Sequence, residues 1–299
     1  MSIFEEKERH NMRYFTVDAF AQEPFGGNPA GVVLIGSGES FPDDETMRKI
    51  AAEMRYSETA FVQQNGATEF TVRYFTPAAE VELCGHATIA SFSVLREEGI
   101  VLEGYTCVNH TKAGDIEIIV GEKILMSMAA PKIIGEVKDL KRLQKIMTGK
   151  NSTTLGNTPS ETLPTQIVST GLPDIIFPVA SVEALNSLAP DMEALSAFSE
   201  ELKVVGVHAF ALSNDGYTAH VRNFAPLYDI PEESATGTAN GALTYYLYTQ
   251  GIISANHKCS FIQGEAMQRP SVVETEINDG SKVYVGGNSY ILTKGEMNL

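Results

Sequence analysis

The chain has 299 residues, enough for about two ordinary domains that each bury a core of their own. It carries 22 Lys and Arg against 38 Asp and Glu, a net charge of −16, which argues against nucleic acid and acidic membrane surfaces as partners. Its three cysteines form no Cys-x-x-Cys pair and no zinc-ligand spacing with histidine. We therefore expect a reduced, cytoplasmic compartment and no metal site.

The first residues of the chain do not resemble a targeting signal. Residues 5–9 read EEKER, where a signal peptide would need an apolar stretch, and no window reaches the length of a membrane span. These features predict a soluble protein without a membrane partner.

Predicted elements of the first half are mostly strands. Runs of β-branched and aromatic residues predict strands at 14–17, 30–35, 59–63, 70–75, 106–108, 116–120 and 123–128. Apolar residues at helical spacing predict a helix over 43–54. A second helix is predicted over 87–97, where apolar residues surround most of the circumference, as expected of a helix enclosed by a sheet.

The second half repeats this plan. A helix is predicted over 137–147, a loop over 149–164, an all-round apolar helix over 239–249 and a strand over 282–293. Strand character stops near Ala129-Ala130-Pro131. This stop predicts an N-terminal domain of residues 1–129, joined by a C-terminal strand at 288–299, and a C-terminal domain of residues 130–287.

An internal repeat supports this division. The hexapeptide VRYFTP at 72–77 returns as VRNFAP at 221–226, a spacing of 149 residues, and GNP at 27–29 agrees with GLP at 171–173 at a spacing of 144. Self-similarity at a nearly fixed offset predicts an α+β fold of two duplicated domains related by a pseudo-two-fold, each a mostly antiparallel sheet around a central helix.

Each copy of the repeat leads into a glycine that begins a predicted helix. These glycines are Gly85 and Gly237, and the pseudo-two-fold brings both helix starts toward one cleft. Free N–H groups at a helix N-terminus bind anions, so we expect the cleft to hold a small anionic metabolite. No phosphate-binding loop and no Gly-x-Gly-x-x-Gly motif occur, so no nucleotide cofactor is indicated.

The repeat also shows where the two halves differ. Glu58 corresponds to Val207, so one half has a carboxylate where the other is apolar. A lone, partly desolvated carboxylate is expected to have a raised pKa and to carry a proton, although a solvated glutamate at a strand edge has the same pattern. His86, at the first helix start, is expected to be a neutral donor, or a helix residue satisfied by a nearby carbonyl.

The remaining candidates have structural alternatives. Glu233, Thr236 and Thr238 precede or begin the second helix, where they could bind substrate or cap the helix. Cys84 has no base partner specified by the sequence pattern and is interpreted as a small buried hydrophobe.

The motifs of this chain closely resemble those of the PhzF family of phenazine-biosynthesis isomerases. The matching segments, in order, are VDAF at 17–20, FGGNPA at 25–30, SETAF at 57–61, RYFTPAAEVELCGHAT at 73–88 and ATGTA at 235–239. The match extends from about Arg13 to the C-terminus. The resemblance implies a diaminopimelate epimerase-like fold with the active site between the domains, no cofactor and a homodimer.

The resemblance also assigns residue roles. The catalytic glutamate of the family falls on Glu58 and its motif histidine on His86, while Asn28, Gly85 and Gly237 fall in motifs expected to bind substrate. Three positions depart from the usual Asp-Pro-Ala-Thr-Gly-Ser pattern, where this chain has Glu233, Ser234 and Thr238. One extra methylene moves a carboxylate by about a bond length, so Glu233 is expected to alter substrate choice more than reaction type.

These observations predict a cofactor-independent isomerase. Glu58 would transfer a proton on a small, unsaturated, carboxylate-bearing metabolite, and Glu233 and His86 would orient it or stabilise the intermediate. The alternatives are a racemase or epimerase that uses Glu58 with Cys84, and a metabolite-binding protein without turnover. Two-thiol epimerisation is disfavoured because the second cysteine position of such enzymes is Thr236 here.

Overall fold

A computed structural model describes residues 11–149, 163–279 and 282–298. The described residues form the following strands: β1 Asn11–Ala19, β2 Asn28–Leu34, β3 Thr59–Gln64, β4 Glu69–Phe75, β5 Glu80–Val81, β6 Tyr105–Thr111, β7 Gly114–Val120, β8 Ile124–Ser127, β9 Lys132–Glu136, β10 Gln166–Ser169, β11 Pro173–Pro178, β12 Val207–Leu212, β13 Ala219–Ala225, β14 Ile230–Glu233, β15 His257–Gln263, β16 Ser271–Asn278, β17 Lys282–Gly287 and β18 Ser289–Asn298. The helices are α1 Asp44–Met54, α2 Gly85–Glu97, α3 Leu140–Thr148, α4 Val182–Asn186, α5 Met192–Leu202 and α6 Gly237–Thr249.

The two halves have the same sheet topology. In the first, the strands are ordered β1-β2-β3-β4-β6-β7-β8, with parallel pairing only between β2 and β3 and between β4 and β6. In the second, β10-β11-β12-β13-β15-β16-β17 repeats this order with parallel pairs at the equivalent places. This repetition confirms the predicted α+β fold of two duplicated domains.

The halves are joined through their sheets. Strand β8 pairs with its counterpart β17 in antiparallel orientation, and the C-terminal strand β18 returns to pair with β1. In the second half β9 occupies the place that β18 has in the first, because it pairs with β10, the counterpart of β1. The domain boundaries at residues 129 and 287 stay a prediction.

Each sheet encloses one central helix. Ten consecutive residues of α2, from His86 to Leu95, are buried, and α6 is buried to a similar degree. Both helices contribute to one continuous hydrophobic core. The buried hydroxyls of Ser91 and Ser93 donate to carbonyls four residues earlier, which satisfies them without an external partner.

Two outer helices, α1 and α3, follow the predicted pattern with shifted starts, whereas α4 and α5 were not predicted. Helix α3 begins at Leu140 rather than at residue 137, because Asp139 caps it by accepting a hydrogen bond from the Arg142 amide. Most of the predicted loop over 149–164 lies outside the described residues. Within the described ranges, no helix combines the length and apolar character needed to cross a membrane.

Candidate active site

Five predicted or suspected residues meet where the two halves face each other. Glu58 precedes β3, Asn28 begins β2, and Cys84 and His86 flank the start of α2, so all four come from the first half. Glu233 ends β14 and comes from the second half. The cluster therefore depends on the tertiary arrangement of the two repeats.

The His86 imidazole is the centre of this cluster. Its Nε2 lies 3.3 Å from Glu58 Oε2, and its Nδ1 lies 3.4 Å from the Cys84 sulfur. Asn28 Nδ2 lies 3.3 Å from the same Nδ1, but its two protons have better acceptors in Glu233 Oε1 and the Ala235 carbonyl, each at 3.0 Å. Nδ1 is therefore not needed as an acceptor for Asn28, and both imidazole nitrogens can carry a proton and act as donors.

The surroundings of His86 favour its charged form. Burial by itself lowers the pKa of His86, but the adjacent Cys84 and Glu58 outweigh this effect and raise the pKa well above its usual value. The expectation of a neutral imidazole at this helix start was wrong, because the Glu58 carboxylate, 3.3 Å from Nε2, favours the charged form of His86. Burial raises the pKa of Cys84 despite the nearby His86 charge.

Glu58 is enclosed but incompletely bonded. Its side chain is 18% exposed, and its buried Oε2 has no partner with hydrogen-bond geometry among the described residues. Burial raises the pKa of Glu58, but the hydrogen-bonding capacity and charge of His86 reverse this effect, and the pKa lies below its usual value. The raised pKa expected from desolvation was wrong, and at neutral pH Glu58 is a carboxylate.

Glu233 has the opposite electrostatic character. Desolvation raises its pKa, and this effect exceeds the lowering by His86 and by the Thr236 hydroxyl. Thr236 Oγ1 donates to Glu233 Oε2 at 2.5 Å and does not cap α6, so the capping alternative does not describe Thr236. The site thus pairs a carboxylate of lowered pKa with one of raised pKa across the two halves, an arrangement suited to proton transfer.

The two central helices begin without side-chain caps. Neither Cys84 before Gly85 nor Thr236 before Gly237 makes a capping hydrogen bond. Thr238 lies partly buried in the first turn of α6, and no hydrogen bond among the described residues joins its hydroxyl to the His86 cluster.

The halves are held together beside this cluster. Asn28 bonds Glu233 and the Ala235 carbonyl across the boundary, and Ser234 Oγ donates to the Gly27 carbonyl at 2.9 Å. Arg269 from the second half pairs with the buried Asp18 of the first at 2.9 Å and also donates to two carbonyls of the β1–β2 turn.

Three polar residues near the site were missed by the sequence reasoning: Asp174, Gln263 and Arg269. Asp174 is only 1% exposed, and its pKa is raised to about 8, first by desolvation and then by the charge of Glu233. The repeat could have indicated Asp174, because the 144-residue spacing places this carboxylate opposite the apolar Ala30. The 149-residue spacing places Glu58 opposite the apolar Val207 in the same way.

The cluster also contains the donor types of a metal site. One ligand atom each from Glu58, Cys84 and His86 lies within 4.8 Å of the others. Carboxylate, thiolate and imidazole are ligands that Zn²⁺ accepts, and the structure brings them together although their spacing along the chain is unlike that of a zinc motif. The expectation that the protein needs no metal or cofactor stays a prediction.

The duplicated fold brings ionisable residues of both halves together in one candidate active site, and the comparisons with known proteins give the class of the protein as isomerase. The chain belongs to the PhzC-PhzF family, whose model, described as phenazine biosynthesis-like protein, matches residues 17–295. It is an isomerase by this membership and by the names of its relatives.

Three comparisons cover nearly the whole chain. An "Uncharacterized isomerase YfhB" of Bacillus subtilis is 34% identical over 284 residues, which are 91% of this chain and 92% of that protein. A trans-2,3-dihydro-3-hydroxyanthranilate isomerase of Pseudomonas fluorescens is 30% identical over 300 residues, 97% of this chain and 100% of that protein. The crystal structure of a Bacillus anthracis phenazine biosynthesis protein of the PhzF family superimposes with a TM-score of 0.83 at 26% identity, covering 97% of this chain and all of that one.

Proposed function

We propose that this protein is a cofactor-independent isomerase that moves a proton within a small, unsaturated, carboxylate-bearing metabolite. The observation that carries the proposal is Glu58 Oε2, which is buried, lacks a partner with hydrogen-bond geometry among the described residues and lies 3.3 Å from His86 Nε2. An ionised carboxylate in a shielded cleft can accept a proton from a substrate carbon beside it.

The proposed reaction conserves protons. The Glu58 carboxylate takes a proton from one carbon of the substrate, the electron pair of that C–H bond shifts through the conjugated system, and Glu58 returns the proton to another carbon. The His86 imidazolium stabilises the negative charge that develops on the substrate. The Glu233 carboxyl, which accepts hydrogen bonds from Asn28 and Thr236, orients the substrate from the opposite half.

The substrate carboxylate is proposed to bind at the helix starts. The uncapped first turns of α2 at Gly85 and α6 at Gly237 offer backbone N–H groups. Thr238 lies in the first turn of α6, and Asn28, the first residue of β2, lies 3.3 Å from His86 Nδ1 in the first turn of α2. Crystals grown with sulfate or a small carboxylate should show the anion at one of these turns. Well-ordered water alone at both turns under these conditions would contradict this part of the proposal.

The test of the reaction is Glu58→Gln assayed in deuterated water. The first substrate to use is trans-2,3-dihydro-3-hydroxyanthranilate, which the name of the Pseudomonas relative supplies. We expect turnover and deuterium incorporation to fall by about 10² or more, because a neutral amide cannot accept the proton. Glu53→Gln, on the exposed face of α1, is the matched control and should retain the wild-type rate. Turnover of Glu58→Gln near the wild-type rate would exclude Glu58 as the proton carrier.

A racemase or epimerase is the second candidate, favoured by the Cys84 sulfur 3.4 Å from His86. Two-base racemisation needs groups on opposite faces of the substrate, whereas Glu58 and Cys84 both come from the first half. Cys84→Ser distinguishes the candidates: it should abolish deuterium exchange at a stereocentre in a racemase and leave the isomerase reaction of Glu58 largely intact.

The remaining sequence-based expectations are a homodimer, a biosynthetic role and a cytoplasmic location. Strand β18 pairs with β1 along one edge, and a cavity of about 420 Å³ beside it is lined by Arg96, Glu98 and residues 289–294, away from the His86 cluster. We propose a homodimer from the resemblance to the family. Light scattering on the purified protein at several concentrations tests it, and a mass of one chain throughout would exclude it.

A further inference from the structure

Gln263, the last residue of β15, is fully buried behind the Glu233 segment. Its carbonyl oxygen accepts from the Thr236 amide at 3.1 Å and from Asn240 Nδ2 at 2.9 Å. Its amide nitrogen donates to the Glu233 carbonyl at 2.7 Å and to Thr236 Oγ1 at 3.0 Å. Two donors and two acceptor sites are the full capacity of a glutamine side chain, so Gln263 is completely satisfied by these partners.

The orientation of the Gln263 amide is fixed by its neighbours. Asn240 Nδ2 also donates to the Thr236 carbonyl at 2.9 Å, so Asn240 presents its NH₂ group, and not its oxygen, to Gln263. A rotated Gln263 would place its own NH₂ group against that donor and against the Thr236 N–H. Asn240 Oδ1 contacts Nε2 of the buried His208 at 3.3 Å, and burial lowers the pKa of His208 to about 4, which leaves that histidine neutral.

This orientation determines the direction of the Thr236 hydroxyl. Thr236 Oγ1 accepts from Gln263, and its single proton is therefore free to donate to Glu233 Oε2. The other carboxyl oxygen of Glu233 accepts from Asn28 of the first half. The Glu233 carboxyl is thus held by one donor from each half, and the second-half donor is aligned by Gln263.

The backbone beside Gln263 packs tightly against the Glu233 segment. Gly264 has φ +81°, and a Cβ at this position would lie 2.8 Å from the Ser234 carbonyl oxygen and 2.3 Å from that of Arg269. Such distances exclude a side chain, so the turn after β15 can approach the site only with glycine there.

Among the described residues of the first half there is no equivalent arrangement. Thr88 and Asn240 are each the fourth residue of their central helix. Thr88 forms a hydrogen bond with the Tyr74 hydroxyl at 2.6 Å, and Asn109 Nδ2 donates to the same hydroxyl at 2.9 Å. That buried network stays beneath α2 and includes no carboxylate. A network of this kind supports a central helix without Gln263, so the contact with Glu233 is not required by the fold itself.

We propose that Gln263 is a positioning residue that aligns the Thr236 hydroxyl on Glu233 and so fixes that carboxyl against Asn28. The inference rests on the proposed role of Glu233 for its functional meaning, although the contacts are independent of it. The charged and titratable groups that act on Glu233 are His86 and Glu58 from the first half and Asp174 from β11. Because Gln263 is uncharged, its replacement acts on Glu233 through hydrogen bonding alone.

The test follows the titration of the Glu233 carboxyl by carbon NMR, with ¹³C-labelled glutamate and assignment by Glu233→Gln. Gln263→Met keeps the length of the side chain and removes its hydrogen bonds. The freed Thr236 hydroxyl then loses its alignment, and we expect the Glu233 titration to move up by about one pH unit. Thr236→Val should cause a similar upward shift, and the double variant should add little to either.

Thr244→Val is the matched control. Thr244 is buried on α6 and bonds the Asn240 carbonyl and Thr275, but not Glu233. This variant should lower stability and leave the Glu233 titration in place. An unmoved titration in both Gln263→Met and Thr236→Val would overturn the inference. A shifted titration together with full turnover of Glu233→Gln would instead contradict the catalytic role of Glu233 and leave the positioning intact.

Discussion

Asp174 provides the sharpest test of the electrostatics beside the site. It is the second residue of β11, it is 1% exposed, and its Oδ1 has no hydrogen-bond partner among the described residues. Its pKa is raised from 3.8 to about 8, so at pH 7 the folded protein keeps this carboxyl protonated while the unfolded chain ionises it. We expect Asp174→Asn, which is neutral at every pH, to stabilise the protein at neutral pH.

The magnitude follows from proton linkage. A folded-state pKa above the unfolded value means that the folded state binds more protons between pH 3.8 and about 8, so stability falls as pH rises through this window. Between pH 3.8 and pH 7 this effect lowers the free energy of unfolding by on the order of 4 kcal/mol, at about 1.36 kcal/mol per pH unit. Asp174→Asn removes this cost, and its advantage should be near zero below pH 4 and constant above about pH 8.

The assay is urea unfolding of both proteins at one-unit pH steps from 4 to 9. The free energy of unfolding of Asp174→Asn should exceed that of the wild type by an amount that grows with pH up to about 8. Glu53→Gln, an exposed substitution, should follow the wild-type curve. Parallel curves for wild type and Asp174→Asn across this range would refute the conclusion that burial holds Asp174 protonated.

Three further predictions concern the boundary between the halves and the charges of the site. Arg269→Met leaves the buried Asp18 unpaired and should cost about 3 kcal/mol in unfolding free energy, while the double variant with Asp18→Asn should recover much of this loss. Gly264→Ala forces a side chain at φ +81° against two backbone carbonyls and should lower stability by about 2 kcal/mol or more in thermal unfolding. Because the pKa of Glu58 is lowered from 4.5 and that of His86 is raised well above 6.5, kcat/KM should be flat across neutral pH, with its acid limb below 4.5 and its basic limb well above 6.5.

Specific outcomes would contradict each of these. Equal stability of the single and double variants at Arg269 and Asp18 would show that the ion pair is not the source of the loss. An unchanged melting temperature for Gly264→Ala would show that the turn relaxes. A fall of kcat/KM with its midpoint at the ordinary pKa of histidine, 6.5, would show that neighbouring groups do not stabilise the His86 imidazolium.

The sequence by itself determined the duplicated plan of the fold. Strand alternation, helical spacing and the 149-residue repeat are properties of local chain geometry, and they predicted β4 and the two central helices to within a few residues. The same repeat singled out Glu58 by contrast with Val207, and the resemblance placed His86 and Glu233 at the site. These features are readable because each depends on neighbours close in the chain or on a direct comparison of the two copies.

Only the tertiary structure decided the charges and the support of the site. The direction of the Glu58 and His86 pKa shifts depends on a 3.3 Å contact between residues 28 positions apart. Desolvation had predicted a raised pKa for Glu58, and the helix start had predicted a neutral His86. Asn28 reaches Glu233 across 205 residues of chain, and Gln263 reaches Thr236 across 27. Electrostatic and hydrogen-bond energies fall off with distance in space, and that distance is set by how the two halves pack and not by separation along the sequence.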